Sequence, residues 1–274
     1  MNTKTLTFNK LNISFFDNKK DADTTILFIH GNSLSASLFQ HQLNDPALNQ
    51  YRIVAADLPG HGASAKSDNP DQDYGVLSFI DMLRSLVMEL NLNNIVLVGH
   101  SLGGHIAIHL LPLLQESGVN VKGIVIMGTP PLTIPPKMEQ AFLPNPAIGL
   151  AFKPDLASDE LQLLTSAFIS LNNPYFNQVK DTIKDTDPLV RPSIGRSIST
   201  EIKQSEVDLL LNSGVPLAVL HGENDSLINR EYIQEQGLNL WGNQVHTIEQ
   251  AGHIPFLEQP EQFRTILQDF LNSI

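Results

Sequence analysis

One serine of this chain stands in a Gly-x-Ser-x-Gly pattern, a setting in which serine can act as a nucleophile. Ser101 lies between Gly99 and Gly103, after the apolar run 95–98 and before a stretch rich in Leu, Ile and Ala. Strand, tight turn and helix in that order hold a serine hydroxyl above the edge of a sheet. The turn strains the backbone at the serine, and the flanking glycines avoid collisions with the neighbouring strand and helix. We therefore predict that Ser101 is a nucleophile.

A serine hydroxyl is a weak nucleophile at neutral pH, so the chain must also supply a base. That base is usually a histidine that a carboxylate orients. His253 follows the last predicted strand, in a loop whose glycine and proline let the backbone turn and then stiffen it. Asp225 lies in the polar turn after the predicted strand 217–220, and Glu223 in the same turn is the second candidate for the acid. We predict His253 as the base and Asp225 as the acid.

Cleavage of an acyl bond also requires hydrogen-bond donors at the oxygen that becomes negative. Two backbone N–H groups commonly fill this role, and one belongs to the residue after the nucleophile, here Leu102. The second donor follows an early strand, and Asn32 occupies that position after the apolar run 25–29. We predict that the N–H groups of Asn32 and Leu102 form the oxyanion hole.

The other histidines do not predict a metal or cofactor site. His105 and His109 are four residues apart and share a helix face, but no carboxylate stands between them and no third ligand is evident. His61 lies in a glycine-rich turn and is expected to shape a loop. His100 either lines the pocket beside the serine or fills the turn. No glycine-rich nucleotide-binding pattern is present, so we expect no cofactor.

The elements that must position these residues alternate between strand and helix. Apolar runs typical of buried parallel strands occupy residues 25–29, 52–56, 95–98, 123–127 and 216–220, with a weaker run at 245–248. Helical patterns separate them, at residues 37–44, 76–90, 101–114 and 259–271, and two short strands at 3–8 and 11–16 come first. This alternation predicts an α/β fold with a mostly parallel central sheet and helices on both faces.

The alternation stops in a proline-rich segment between Pro130 and Ser205. We predict that residues 131–205 form a helical lid inserted into a core made of residues 1–130 and 206–274. Phe142 and Phe152 of this segment are candidates to line the substrate pocket, and packing in the core is the alternative for both.

Composition limits the partners of the chain. Its 274 residues carry a formal net charge of −12, which disfavours nucleic acid, anionic membranes and anionic substrates and favours neutral or cationic ones. We expect a small neutral acylated substrate. There is no cysteine, so disulfides, thiolate metal sites and a cysteine nucleophile are excluded. No long apolar run or leader pattern is present, and we expect a cytoplasmic protein. No pattern predicts an oligomeric state.

In these motifs the chain resembles the α/β-hydrolase superfamily. The nucleophile, acid and base of that superfamily follow one another in the order of Ser101, Asp225 and His253. The resemblance rests on His30-Gly31-Asn32, Asp57-Leu58-Pro59-Gly60-His61-Gly62-Ala63-Ser64, Gly99–Gly104, His221–Asp225 and Gly252-His253. It covers nearly the whole chain outside residues 130–205 and implies the fold and the catalytic residues rather than the substrate.

A more particular resemblance is to the serine-dependent N-acyl-homoserine lactonases of that superfamily. It rests on His30-Gly31-Asn32-Ser33, Gly103-Gly104-His105-Ile106, Met127-Gly128-Thr129-Pro130-Pro131, Leu240-Trp241 and Ala251-Gly252-His253-Ile254-Pro255-Phe256. The lactonase pattern has Trp where His100 stands, which changes the pocket, and Glu where Asp225 stands, which is chemically conservative.

The resemblance implies a metal-free enzyme that opens the lactone ring of quorum-sensing signals. The alternative is a general carboxylesterase, followed by a perhydrolase, a C–C hydrolase or a small-molecule receptor on the same fold. These alternatives can share one triad, so the catalytic residues do not separate them. Dehalogenases and epoxide hydrolases of this fold are disfavoured, because they need an aspartate where Ser101 stands.

Overall fold

An eight-stranded sheet carries the residues that the sequence analysis selected. The computed structural model describes residues 3–274. Across the sheet the strands follow the order β1-β2-β4-β3-β5-β6-β7-β8. Their bounds are Thr3–Phe8 (β1), Leu11–Asp17 (β2), Thr25–Ile29 (β3), Arg52–Ala56 (β4), Asn94–His100 (β5), Asn120–Met127 (β6), Leu217–Gly222 (β7) and Leu240–Ile248 (β8). β1 and β2 pair antiparallel, and every pair from β4 to β8 is parallel. The predicted α/β fold class is confirmed.

The burial of each strand follows its place in the sheet. Every residue of β3 and β7 is buried, as is all of β5 except its first residue. Parallel strands covered on both faces need such continuous apolar runs. The edge strand β1 alternates between exposed and more buried positions because one face meets water.

Helices follow most of the strands. Short 3-10 turns occupy Ala36–Phe39 and Pro46–Leu48. The α-helices are Gln40–Leu43 (α1), Pro70–Asp73 (α2), Val76–Glu89 (α3), Leu102–Glu116 (α4), Met138–Ala141 (α5), Ala147–Leu150 (α6), Ser158–Phe168 (α7), Phe176–Asp185 (α8), Val190–Thr200 (α9), Glu206–Asn212 (α10), Arg230–Glu235 (α11), Pro255–Glu258 (α12) and Pro260–Ser273 (α13). Helix α13 buries residues spaced three and four apart, which is the stripe of a helix that packs on a core.

Two elements differ from the sequence prediction. The predicted helix 37–44 is a 3-10 turn followed by the single turn α1. Strand β8 begins at Leu240, five residues before the apolar run at 245–248. Gly242 and Asn243 in this extension have positive φ angles, and its pairing with β7 shifts register. This irregular edge segment is mostly exposed and carries no period-two apolar pattern, so sequence periodicity does not detect it.

The segment between β6 and β7 is helical. Among the described residues, 131–205 contain α5 to α9 and no named strand. Arg191 of α9 is buried, and its guanidinium donates to the carbonyl of Lys153 at 2.7 Å and to that of Pro154. These bonds join α9 to the loop before α7. The division into core and lid stays a prediction. Within residues 3–274, none of the helices combines the length and the apolar character needed to cross a bilayer.

Candidate active site

Ser101 occupies a strained turn between β5 and α4. Its φ and ψ are 52° and −121°, a conformation that non-glycine residues rarely adopt. The surrounding backbone is very close, because a Cβ atom on Gly99 would lie 2.4 Å from the carbonyl oxygen of Gly103. A Cβ atom on Gly103 would lie 2.2 Å from the carbonyl oxygen of Ile29 in β3. Only glycine fits at both positions, so β3, β5 and α4 fix the place of the serine together.

His253 and Asp225 form a buried hydrogen-bonded pair. Nδ1 of His253 lies 2.8 Å from Oδ2 of Asp225, and the residues are 2% and 6% exposed. The other carboxylate oxygen accepts the N–H of Leu227 at 2.9 Å. Burial raises the pKa of Asp225, but the charge and hydrogen bond of His253 have a larger, opposite effect. The pKa is therefore lowered from its ordinary value. The carboxylate therefore stays ionised and holds Nδ1, which leaves Nε2 as the ring nitrogen that can exchange a proton with substrate.

Glu223, the second candidate for the acid, lies elsewhere. Its carboxylate accepts the N–H of Gln250 at 2.9 Å, and the residue is exposed. It supports the turn after β8, and the contact with His253 belongs to Asp225.

The two predicted oxyanion donors come from different loops that meet at Ser101. Leu102 is the first residue of α4, where backbone N–H groups lack intrahelical acceptors. Asn32 follows β3, and a Cβ atom on the preceding Gly31 would lie 3.0 Å from the Cβ of Ser101. The side chain of Asn32 is engaged with the predicted lid, because Nδ2 donates to the carbonyl of Ala151 at 2.7 Å. Its role as an oxyanion donor, like that of Leu102, stays a prediction.

A largely apolar cavity opens at the serine. Ser101, Asn32, Leu102 and His253 line it together with Phe142 and Phe152, the two aromatic candidates of the lid segment. Aliphatic side chains form most of the remaining wall, among them Val76, Leu132, Ile148, Ile194, Ile198 and Leu227. The apolar lining suits an apolar ligand group next to Ser101.

His100 does not line this cavity, which corrects one of the two readings of this residue. It is 0% exposed, and its ring packs against those of His253 and Phe256, with centroids 5.0 and 5.2 Å apart. Burial lowers the pKa of His100 to about 3, so the ring is neutral. His100 is the last residue of β5, and its side chain contacts the loop that carries His253. Its Nε2–H donates to the carbonyl oxygen of His253 at 2.7 Å.

Comparison with known proteins assigns the family. Residues 26–266 match the model of the alpha/beta hydrolase family. The chain belongs to the alpha/beta hydrolase family. Among curated relatives, this hydrolase is 23% identical to the AB hydrolase superfamily protein YisY of Bacillus subtilis, over 90% of this chain and 91% of that protein. It is 30% identical to a non-heme chloroperoxidase of Burkholderia pyrrocinia, over 76% of this chain and 77% of that protein.

Solved structures extend the likeness over the full chain. The N-acyl homoserine lactonase AidH, complexed with N-butanoyl homoserine, superposes with a TM-score of 0.90 at 26% identity and covers 100% of this hydrolase and 97% of that chain. The esterase RhEst1 from Rhodococcus sp. ECU1013 superposes with a TM-score of 0.78 at 21% identity, over 100% and 99% of the two chains.

Three groups hold the backbone around His253, and the sequence predicted this role for none of them. The N–H of His253 donates to the carbonyl of Phe168 at 3.1 Å, and its carbonyl accepts from His100. The N–H groups of the two neighbouring residues both donate to Oε1 of Glu258, at 2.9 and 3.2 Å. The orientation of His253 is therefore fixed from α7, β5 and α12 at once. The only local signal for Glu258 is its place five residues after His253, and nothing in the sequence marks Phe168.

Two buried neutral histidines shape the loops beside the site. Nε2 of His30 accepts the N–H of Leu58 at 3.0 Å, and Nε2 of His61 accepts the N–H of Ser33 at 3.2 Å. Burial lowers the pKa of both rings, which favours the neutral form that can accept these bonds. His61 thus shapes a loop, as the sequence analysis expected, and His30 adds a second such support.

No cation site emerges from the side chains. In the part of the chain that the structure describes, no group of three or more His, Asp or Glu side chains is arranged to hold a metal ion. The ring nitrogens of His105 and His109 both lie next to the carboxylate of Glu206, the first residue after the predicted lid.

Proposed function

We propose that this hydrolase opens the ring of N-acyl-homoserine lactones through an acyl-enzyme on Ser101. The observation that carries the proposal is the buried His253–Asp225 pair, which shares an apolar cavity with a serine held in a strained turn. Support for the lactone comes from AidH, which superposes over the whole chain, including the predicted lid.

The reaction uses the free ring nitrogen of the base. Nε2 of His253 takes the proton from Oγ of Ser101, and Oγ attacks the lactone carbonyl carbon. The N–H groups of Asn32 and Leu102 donate to the oxyanion of the tetrahedral intermediate. As the carbonyl re-forms, the ring C–O bond breaks and His253 protonates the departing alkoxide, which stays tethered to the acyl group. Water that His253 activates then cleaves the acyl-enzyme, while Asp225 holds the imidazole in one tautomer.

Substrate chemistry agrees with the character of the cavity. An acylated lactone is neutral, so the net charge of −12 does not repel it. Its acyl chain would lie against the aliphatic and aromatic wall, where each buried methylene contributes about 0.8 kcal/mol.

The test is ring opening of a series of N-acyl-homoserine lactones, followed as proton release at neutral pH with and without EDTA. We expect turnover that EDTA does not change and that the Ser101→Ala variant loses. The variant should keep the circular dichroism spectrum and melting temperature of the wild type. Turnover like that of the wild type in Ser101→Ala would reject the nucleophile, and inhibition by EDTA would reject the metal-free mechanism.

A general carboxylesterase is the second candidate, because the esterase RhEst1 shares the fold over the whole chain. A short-chain p-nitrophenyl ester run beside the lactones separates the two. Ester cleavage with negligible lactone opening would keep the triad and replace the lactonase by the carboxylesterase.

A further inference from the structure

The largely apolar cavity at Ser101 contains a charged cluster apart from Ser101, Asn32 and His253. Glu206, at the start of α10, places its carboxylate 2.9 Å from Nδ1 of His105 and 3.3 Å from Nε2 of His109. Glu206 is 3% exposed, and all three residues line the cavity. Charged groups are costly in such surroundings, so their presence requires a physical reason.

Part of the reason is structural. The carboxylate of Glu206 accepts the N–H of Leu132 at 2.8 Å, and the N–H of Glu206 donates to the carbonyl of Leu132 at 2.8 Å. These bonds join the two ends of the predicted lid. Burial raises the pKa of Glu206, but the opposite effect of His105 and His109 is larger and lowers the pKa to about 2. The carboxylate is therefore anionic. The two hydrogen bonds between Glu206 and Leu132 explain the carboxylate, but one ring nitrogen of His105 has no partner in them.

That nitrogen is Nε2 of His105. Nδ1 of the ring is held by Glu206, which fixes the tautomer of the neutral ring with its proton on Nδ1. The side chain is 16% exposed, and no group within residues 3–274 hydrogen-bonds Nε2. The neutral ring offers an acceptor there, and the protonated ring offers a donor. A hydroxyl group satisfies either form because it can both donate and accept.

Helix geometry sets the spacing of His105 and Ser101 along α4, and both residues line the same cavity. His105 lies four residues after Ser101, one turn further along α4 and about 6 Å along the helix axis. An extended chain covers about 6 Å in roughly five bonds. In an N-acyl-homoserine lactone, the fifth bond from the lactone carbonyl carbon reaches the third carbon of the acyl chain.

We propose that His105, oriented by Glu206, forms a polar subsite for a hydroxyl group on the third carbon of the acyl chain. This inference rests on the proposed function, because it places the lactone carbonyl at Ser101. His105 is a specificity-determining residue in this account, and Glu206 is a positioning residue that acts through it.

The experiment compares two lactones of equal chain length, one with a hydroxyl on the third acyl carbon and one without. The measured quantity is the ratio of their kcat/KM values. For the wild type we expect the hydroxylated lactone to be preferred about tenfold, the size of one net hydrogen bond. In His105→Phe, which keeps a flat ring but has no ring nitrogen, the ratio should fall to about one.

Two further variants keep the test decisive. His105→Gln retains a hydrogen-bonding group and should keep part of the preference, which also covers the case in which His105→Phe does not fold. Ile198→Val changes an apolar part of the same cavity and should leave the ratio as it is in the wild type. A wild-type ratio near one, or a ratio that His105→Phe does not lower, would overturn the subsite.

Binding to the Ser101→Ala variant separates this inference from the proposed function. If the wild type opens neither lactone, the lactonase proposal fails, and calorimetry with Ser101→Ala then decides the subsite. Binding of the hydroxylated lactone about tenfold tighter than that of the plain one would support it. Equal or absent binding would overturn it.

Discussion

The folded protein disfavours the ionised form of the Glu258 carboxylic acid. Replacement of Glu258 therefore tests how the stability of the fold depends on pH. Burial raises the pKa of Glu258 to about 7, against the opposing effect of the two backbone N–H groups that Oε1 accepts. The nearby carboxylate of Asp225 raises the pKa as well, and His253 lowers it. The Glu258→Gln substitution removes the titration but retains an amide oxygen for the two N–H groups.

The sign of the effect follows from the two states of the chain. The unfolded chain releases the proton above pH 4.5, whereas the folded protein keeps it until about pH 7. Between these values the folded state binds more protons than the unfolded state, so the free energy of unfolding decreases as the pH rises. The gap of about 2.5 pH units corresponds to about 3 kcal/mol at full ionisation. The Glu258→Gln variant has no carboxyl group to titrate at this position, so its free energy of unfolding does not decrease for this reason.

The assay is urea unfolding of the wild type and Glu258→Gln at pH 4 and pH 8, on either side of the sequence pI of about 5.1. The difference in free energy between variant and wild type should move by about 3 kcal/mol in favour of the variant from pH 4 to pH 8. Melting temperatures should follow by roughly 5–10 °C. A difference that is the same at both pH values, or that moves in favour of the wild type, would refute the reasoning. An unchanged difference would mean that folding leaves the pKa of Glu258 at its ordinary value, and a shift in favour of the wild type would mean that the two N–H groups stabilise its ionised form.

Three further substitutions test other parts of the molecule. Asp225→Asn leaves His253 in place but removes the charge that fixes its tautomer. In steady-state kinetics kcat should fall roughly 10⁴-fold, with a smaller change in KM. A kcat near that of the wild type would contradict the role of Asp225. Gly103→Ala places a Cβ atom 2.2 Å from the carbonyl oxygen of Ile29 in β3. Urea unfolding should show that the free energy of unfolding falls by more than about 3 kcal/mol. Wild-type stability in this variant would contradict the backbone geometry. The pKa of Asp17 is lowered to about 2, because Arg52 and Lys4 outweigh the effect of burial. Asp17→Asn should cost roughly 1–2 kcal/mol at pH 7, and the cost should vanish as the pH falls through 2; a cost independent of pH would assign it to packing.

The sequence predicted the residues that chemistry ties to a local pattern. Ser101 was predictable because strand, turn, glycines and helix all lie within a few positions of it. His253 and Asp225 were predictable because each follows a predicted strand, and parallel strands bring their carboxyl ends to one edge of the sheet. The contact between His253 and Asp225 favours Asp225 over Glu223, the choice that the sequence left open.

Contacts between distant segments were not predictable in the same way. His105 and Glu206 are 101 positions apart, and no periodicity links them. The place of His100 depended on the loop that carries His253, which lies 153 positions further along the chain. The edge segment of β8 before residue 245 escaped prediction because its pairing comes from β7 and its own residues are mostly exposed.

The sequence by itself therefore determined the order of the strands and helices, the turn that carries Ser101 and the candidate base, because turn chemistry and apolar periodicity are local properties. Tertiary structure alone decided how His253 is held and which groups line the cavity at Ser101. The reason is physical: the hydrogen bonds of His253 and the charged cluster around Glu206 join segments that meet only after the sheet and the helical insertion have packed together.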